Sequence, residues 1–200
     1  MLFETRKRKP RTPLTRQRVA AAAVERFKRF GVHRTSMNDI ADTLGVSRQT
    51  IYRLFESRTE LLEFIATARV KLLSQKITKL LSQFDNLRDA LIEGMAYSVK
   101  LGRQDELLSE IIREAGDVHF KTFMFGGTRE VQEAMMAAFG PFIRKARAEG
   151  TLASPATDQQ VIEWLCNNGA VLNIRQDYNE ADHRRILEQF VLPSLLRNDR

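Results

Sequence analysis

Between Ser47 and Phe55 the chain reads SRQTIYRLF, and Arg48, Gln49, Thr50, Tyr52 and Arg53 all carry hydrogen-bond donors. Two of the five are cationic and no carboxylate interrupts them. Such groups suit recognition rather than bond-making: guanidinium and amide groups match the acceptor edges of bases, while cations and hydroxyls match phosphate oxygens. The interleaved residues Ile51, Leu54 and Phe55 form an apolar face on the same short helix, joined by Val46 from the preceding turn, and Ser47 can cap that helix. Catalysis finds no comparable foothold. There is no G-x-S-x-G, no H-E-x-x-H, no phosphate-binding glycine loop and no pair of cysteines. His33, His119 and His183 are isolated, and His119 near Glu114 and Asp117 reads as a solvated helix end rather than a single-face metal site. Trp164 reads as core or pocket wall and Cys166 as an inert buried thiol, so no enzyme, cofactor or metal is expected.

The donor face needs a neighbour to hold it. Met37, Ile40, Ala41 and Leu44 recur at helical spacing just upstream, with Ser36 and Asp39 in a capping-box pattern. Gly45 then supplies the left-handed backbone that a turn of about three residues requires. Two short helices joined in this way form the arrangement that a helix-turn-helix offers to the major groove. Thr15 can cap an earlier helix running to Phe30, with Val19, Ala23, Phe27 and Phe30 as its buried stripe and Gly31 as its end. Arg16 and Arg18, near its start, are expected to reach phosphates.

Charge is distributed accordingly. The net charge is +7, yet residues 1–58 hold 14 Lys/Arg against 5 Asp/Glu, and the rest hold 18 against 20. All the positive excess lies at one end, as expected when that end meets a polyanion. Residues 1–14, with Arg6, Lys7, Arg8, Lys9 and Arg11 broken by Pro10 and Pro13, read as a disordered basic arm.

Thr35-Ser36-Met37, Ile40-Ala41, Leu44-Gly45-Val46-Ser47, Thr50-Ile51-Tyr52, Phe55 and the run Ser57-Arg58-Thr59-Glu60-Leu61-Leu62 together resemble the N-terminal domain of TetR/AcrR-type transcriptional regulators. The resemblance covers roughly residues 15–65. Arg58 stands where a lysine is usual, and Glu56 where a basic or small residue is common. The resemblance implies an all-α protein organised as a basic arm (1–14), a helix-turn-helix DNA-binding domain (15–56, motif 36–55) and a ligand-binding and dimerisation domain (57–200). The expected DNA-binding set is Thr35, Ser36, Ser47, Arg48, Gln49, Thr50, Tyr52, Arg53 and Arg58. Within it Arg48, Gln49, Thr50 and Tyr52 face bases or adjacent phosphates, and Thr35, Ser36, Arg53 and Arg58 mainly hold the backbone.

Ser57 and Glu60 form a second capping box, opening a helix whose apolar stripe (Leu61, Ile65, Ala68, Leu72, Ile77, Leu80, Phe84) predicts roughly 40 Å of unbroken connector. After about residue 85 the pattern stays helical, without strand-like alternation, and Pro141 and Pro193 should start or kink helices. The helices at about 157–176 and 180–198 are apolar on more than one side, so they are either central or pressed against a partner. The family resemblance implies that this pair, about 157–198, forms a four-helix homodimer interface, with the dimer on a palindromic double-stranded operator.

Met95, Tyr97, Met135 and Met136, with Phe120, Phe123, Met124 and Phe125, suit either a core or a cavity for an apolar or aromatic small molecule. The resemblance favours a ligand pocket, for which Phe120, Phe123, Met124 and Trp164 are the candidates. The expected function is a repressor released from its operator by such an effector. An architectural or adaptor protein that binds DNA without a ligand is the alternative. No run approaches the roughly eighteen apolar residues of a membrane span, and the N-terminal charges precede no apolar stretch, so a cytoplasmic location is expected.

Overall fold

A computed structural model of the chain describes residues 13–114, 129–174 and 177–197. Among these residues there are helices and turns but no strand, only an isolated antiparallel bridge between Leu152 and Leu196. The chain divides into two compact units, Met1–Leu61 and Leu62–Arg200. Their boundary falls inside a helix, in the first turns after the capping serine that marks its start in the sequence.

The first unit, the head, contains α1 (Arg16–Phe30), α2 (Met37–Leu44), α3 (Arg48–Tyr52) and the first turn of α4 (Arg58–Leu81). Thr15 caps α1 by accepting from the Arg18 amide at 3.3 Å. Val19, Ala23 and Phe27 of α1 are buried with Met37, Ile40 and Ala41 of α2, Ile51 of α3, and Phe55. Burying side chains such as Ile51 and Phe55 stabilises a fold by about 1.5–3 kcal/mol each. Phe30 departs from the expected stripe. It is 41% exposed, with the guanidinium groups of Arg26 and Arg29 at 4.7 and 5.0 Å from its ring centre. The last turn of α1 projects past the core, and cations cover the ring instead of apolar neighbours.

The second unit, the body, holds the remainder of α4, α5 (Leu87–Gln104), α6 (Glu106–Glu114), α7 (Arg129–Ala148), α8 (Asp158–Ile174), α9 (Glu180–Ile186), a π-helical turn (Leu187–Val191) and α10 (Leu192–Leu195). Helix α5 is central, packing against α7, α8 and α9. Its approach to two neighbours depends on Gly94: a Cβ there would lie 2.8 Å from side-chain atoms of both Leu81 and Phe139. Along α4, Ile65 and Ile77 are buried as expected, but Leu72 is 52% exposed and Ala68 is exposed as well. A 3.6-residue period identifies a stripe, and neighbours decide how much of it is covered.

The two prolines behave differently. Pro141 does not start a helix: it lies inside α7, which continues on both sides of it. Pro193 sits in the first turn of α10, directly after the π turn, where the Leu192 amide reaches back five residues to Leu187. Because proline cannot donate and crowds the carbonyl four residues earlier, a widened turn preceding it relieves the clash.

Polar ties join the body's helices. Arg69 of α4 donates from Nε (2.8 Å) and Nη2 (2.5 Å) to the buried Asp105, whose other oxygen caps α6 through the Leu108 amide. Arg184 pairs with both carboxylate oxygens of Glu93, linking α9 to α5 and holding that carboxyl below its ordinary range. Arg103 donates to the carbonyls of Tyr178 (2.7 Å) and Leu172 (3.1 Å) and meets His183 Nε2 at 3.2 Å.

Candidate nucleic-acid interface

The α2–α3 corner is built by its own sequence. Ser36 Oγ accepts from the Asp39 amide at 3.2 Å, while the Ser36 amide and hydroxyl donate to Asp39 Oδ2 at 2.8 and 2.6 Å. Those bonds from Ser36, with Arg26 nearby, hold the Asp39 carboxyl below the usual range, and the charge lies in the first turn where the helix dipole favours it. Gly45 adopts φ 63° and ψ 38°, a left-handed cap, and the Val46 amide closes the turn on Ala41 O at 3.1 Å. Ser47 then caps α3 by accepting from the Thr50 amide at 3.2 Å.

With Ile51 and Phe55 buried beneath it, α3 leaves Ser47, Arg48, Gln49 and Arg53 exposed and Thr50 and Tyr52 half-exposed. Arg48 Nη2 donates to the Tyr52 hydroxyl at 3.3 Å, and its guanidinium lies 5.0 Å from the Tyr52 ring centre. One turn apart on the helix, this pair keeps a planar cation and a phenol side by side. The Ser47 and Thr50 hydroxyls are 2.9 Å apart. Six of the nine expected residues therefore share a single donor-rich face.

Three do not. Thr35 is only 1% exposed and its hydroxyl donates to Gly31 O at 3.0 Å, so the side chain fixes the α1–α2 loop instead of facing outward. The Ser36 side chain is engaged with Asp39 in the capping box. Arg58 is turned inward, its Nη2 donating to Val32 O at 2.7 Å and its Nε to Thr35 O at 3.3 Å. In this geometry Arg58 anchors the loop that precedes α2. Glu56, the other departure from the family pattern, is exposed, and its amide donates to Glu60 Oε2 at 2.6 Å.

Arg16 also differs from expectation. Its guanidinium lies 4.3 Å from the Phe55 ring centre and its Nη1 meets Glu60 Oε1 at 2.7 Å, so it joins α1, the end of the α3 segment and α4. Arg26 similarly reaches Thr43 Oγ1 at 3.3 Å and Asp39 Oδ1 at 3.5 Å, tying α1 to α2. Sequence reasoning missed both ties because they join residues more than a dozen positions apart. Arg18 donates to Pro13 O at 3.1 Å.

The body contains a cavity of about 140 Å³ whose apolar wall includes Leu73 and Ile77 of α4, Met95 of α5, Met135 of α7 and Leu165 of α8. Trp164 is half-buried against the core and does not line it, whereas its neighbours Leu165 and Cys166 do. Phe120, Phe123 and Met124 lie outside the described residues, as do His119 and residues 1–12 of the expected basic arm. Burial, with Glu163 nearby, pushes the Cys166 thiol up to about 11, which leaves it protonated and unreactive at neutral pH. Among the described residues no cluster of ligating side chains could hold a metal, and no helix is long and apolar enough to cross a membrane.

Residues 19–65 match the family described as bacterial regulatory proteins, tetR family. The chain is 36% identical over 99 residues to a probable acrEF/envCD operon repressor of Escherichia coli K12, a match spanning 47% of this chain and 45% of that protein, so it covers under half the repressor's length. Over 92% of this chain and 86% of the relative, it is 24% identical to an uncharacterized HTH-type transcriptional regulator of Mycobacterium tuberculosis. Its fold is similar to that of Thermus thermophilus FadR, a TetR family transcriptional repressor solved with lauroyl-CoA: TM-score 0.66, 18% identity, 92% of this chain and 97% of that one. The helix-turn-helix geometry and the match to the tetR family model coincide over residues 19–65, and the chain as a whole has a fold similar to that of solved TetR family proteins.

Proposed function

We propose that the chain is a DNA-binding transcriptional regulator acting as a two-fold dimer on a palindromic operator, and that it represses until a small apolar or aromatic ligand enters the body. The observation that carries this reading is the α3 face, where Arg48, Gln49, Thr50, Tyr52 and Arg53 stand outward on a helix fixed by Gly45 and the buried Ile51. Arg48 and Gln49 have the bidentate chemistry that reads guanine and adenine edges, and Arg53 the charge that meets a phosphate. The repressor name of the Escherichia coli relative supports the sign of regulation.

Dimerisation is supported by apolar surface left uncovered on the C-terminal helices: Val171 of α8 is 47% exposed and Phe190 of the π turn 67%. A two-fold dimer sets its recognition helices about 34–36 Å apart, one turn of duplex. Helix α4 supplies both Arg58, which anchors the α1–α2 loop, and Leu73, Ser74 and Ile77 of the cavity wall. A ligand changes DNA affinity only by favouring one state of this helix over another.

Selection of bound sequences from a random duplex library, using the purified full chain, tests the reading and should return a palindrome. Arg48→Ala should then relax preference at one base position in each half-site, while Arg53→Ala should weaken all sequences alike and lower the salt slope by about one. Equal, uniform losses from both would remove base readout from Arg48. A ligand-independent architectural role predicts instead that no cavity ligand changes duplex affinity.

A further inference from the structure

We propose that the cavity of the body takes a neutral molecule about the size of one aromatic ring that carries a hydroxyl donor, a phenol or a compact alcohol. This rests on the reading of the chain as a ligand-controlled regulator and names the chemical class of its ligand. Size gives the first limit. The cavity measures about 140 Å³, and an apolar cavity of roughly 150 Å³ accommodates benzene.

Charge gives the second limit. Among the described residues that line the cavity, none carries a carboxylate, guanidinium or ammonium group, and the Cys166 thiol stays protonated. An ionised ligand would lose its hydration there without an opposite charge to replace it. A neutral one loses far less.

The polar atoms of the wall give the third limit. Ser74 Oγ donates to Lys71 O at 2.8 Å and Ser98 Oγ donates to Met95 O at 2.7 Å. Each hydroxyl proton is thereby used within its own helix, while the oxygen keeps lone pairs for an incoming donor. Asn173 Nδ2 donates to Gly169 O at 3.0 Å, which fixes the orientation of the amide and leaves Oδ1 as an acceptor. Gly102 makes room for that oxygen, since a Cβ at this position would lie 2.5 Å from Asn173 Oδ1. Three oxygen acceptors, against the second amide N–H of Asn173 and the weakly donating Cys166 thiol, favour a ligand that donates.

Calorimetric titration of the full chain with phenol, toluene and benzoate separates these limits. A wall without acceptors would prefer toluene, because an unpaired hydroxyl is costly to bury. We expect phenol to bind about threefold or more tighter than toluene and at least about tenfold tighter than benzoate, differences of the size made by one hydrogen bond and by an unpaired charge. Asn173→Leu should reverse the order of phenol and toluene while keeping toluene binding. A melting curve checks that variant's fold, and the wild-type series decides the matter without it. Benzoate binding as tightly as phenol, toluene binding as tightly as phenol, or no binding by any of the three overturns the proposal. Duplex selection on the same preparation keeps the two readings apart: a palindrome recovered alongside failed ligand selectivity sinks the ligand class alone, whereas no duplex preference sinks the regulator reading.

Discussion

Head and body use their polar groups in opposite ways. In the head, hydrogen bonds and ion pairs surround a small apolar core and hold an outward face in place: Arg16 on Phe55 and Glu60, Arg26 on α2, Arg58 on the α1–α2 loop. In the body, charged ties such as Arg69 to Asp105 and Arg184 to Glu93 join helices around an apolar interior, whose cavity wall is uncharged among the described residues. A surface that reads a polyanion needs donors held at fixed angles, and the surrounding ties supply that rigidity. A chamber for a neutral molecule needs the reverse, with charge kept out of its wall.

The strongest way to break this contrast is to damage each core separately. Phe55→Ala removes a fully buried ring and the platform under Arg16, and Phe139→Ala removes a fully buried ring beside Gly94. Each should cost about 3–5 kcal/mol in denaturant unfolding. We expect Phe55→Ala to abolish duplex preference while leaving ligand titrations of the body intact, and Phe139→Ala to impair ligand binding first. Loss of both activities from either variant would mean that head and body do not keep separate cores.

A smaller effect sharpens the account of the corner. Gly45 sits at φ 63°, so Gly45→Ala forces a side chain into the left-handed region at about 1–2 kcal/mol. Duplex affinity should fall with little change in the body's unfolding midpoint.

The smallest expected effect is one of pH, and it concerns the body. Burial, and next the neighbouring Arg103, lower the pKa of His183 from its ordinary 6.5. Above pH 6.5 the imidazole is neutral both folded and unfolded, so it imposes no penalty. As pH falls below that ordinary value the unfolded chain binds a proton that the folded one refuses, and stability declines until the lowered folded pKa is passed. Denaturant midpoints between about pH 7.5 and 5 should show this decline for the wild type and a shallower one for His183→Gln.

How much of this is legible in the sequence depends on how far apart the partners lie. Caps and turns read correctly at Thr15, Ser36 with Asp39, Gly45 and Ser47, because each is settled within about four residues. The donor face of α3 follows from the same local pattern. Thr35, Arg16 and Arg58 read as outward because basic and hydroxyl side chains usually lie there, yet Thr35 is buried with its hydroxyl on Gly31 O, and distant partners engage Arg16 and Arg58. Phe30 and Leu72 fit an apolar stripe, yet nothing in the pattern shows where the covering surface stops. The cavity is least legible of all. Its wall draws on α4, α5, α6, α7 and α8, and Trp164 stands out by its type while the neighbouring Leu165 and Cys166 face the space.

The widened turn at Leu187–Val191 has a further consequence. A helix that carries one surplus residue rotates everything beyond it by about 100° relative to a regular winding. Arg184 upstream can thus point at Glu93 while Leu192 and Leu195 downstream still enter the interior, and Phe190, caught in the offset, is turned to the outside. Deleting a single residue from this turn would bring the two stretches back into step, and the exposed Phe190 ring would swing to another side of the helix.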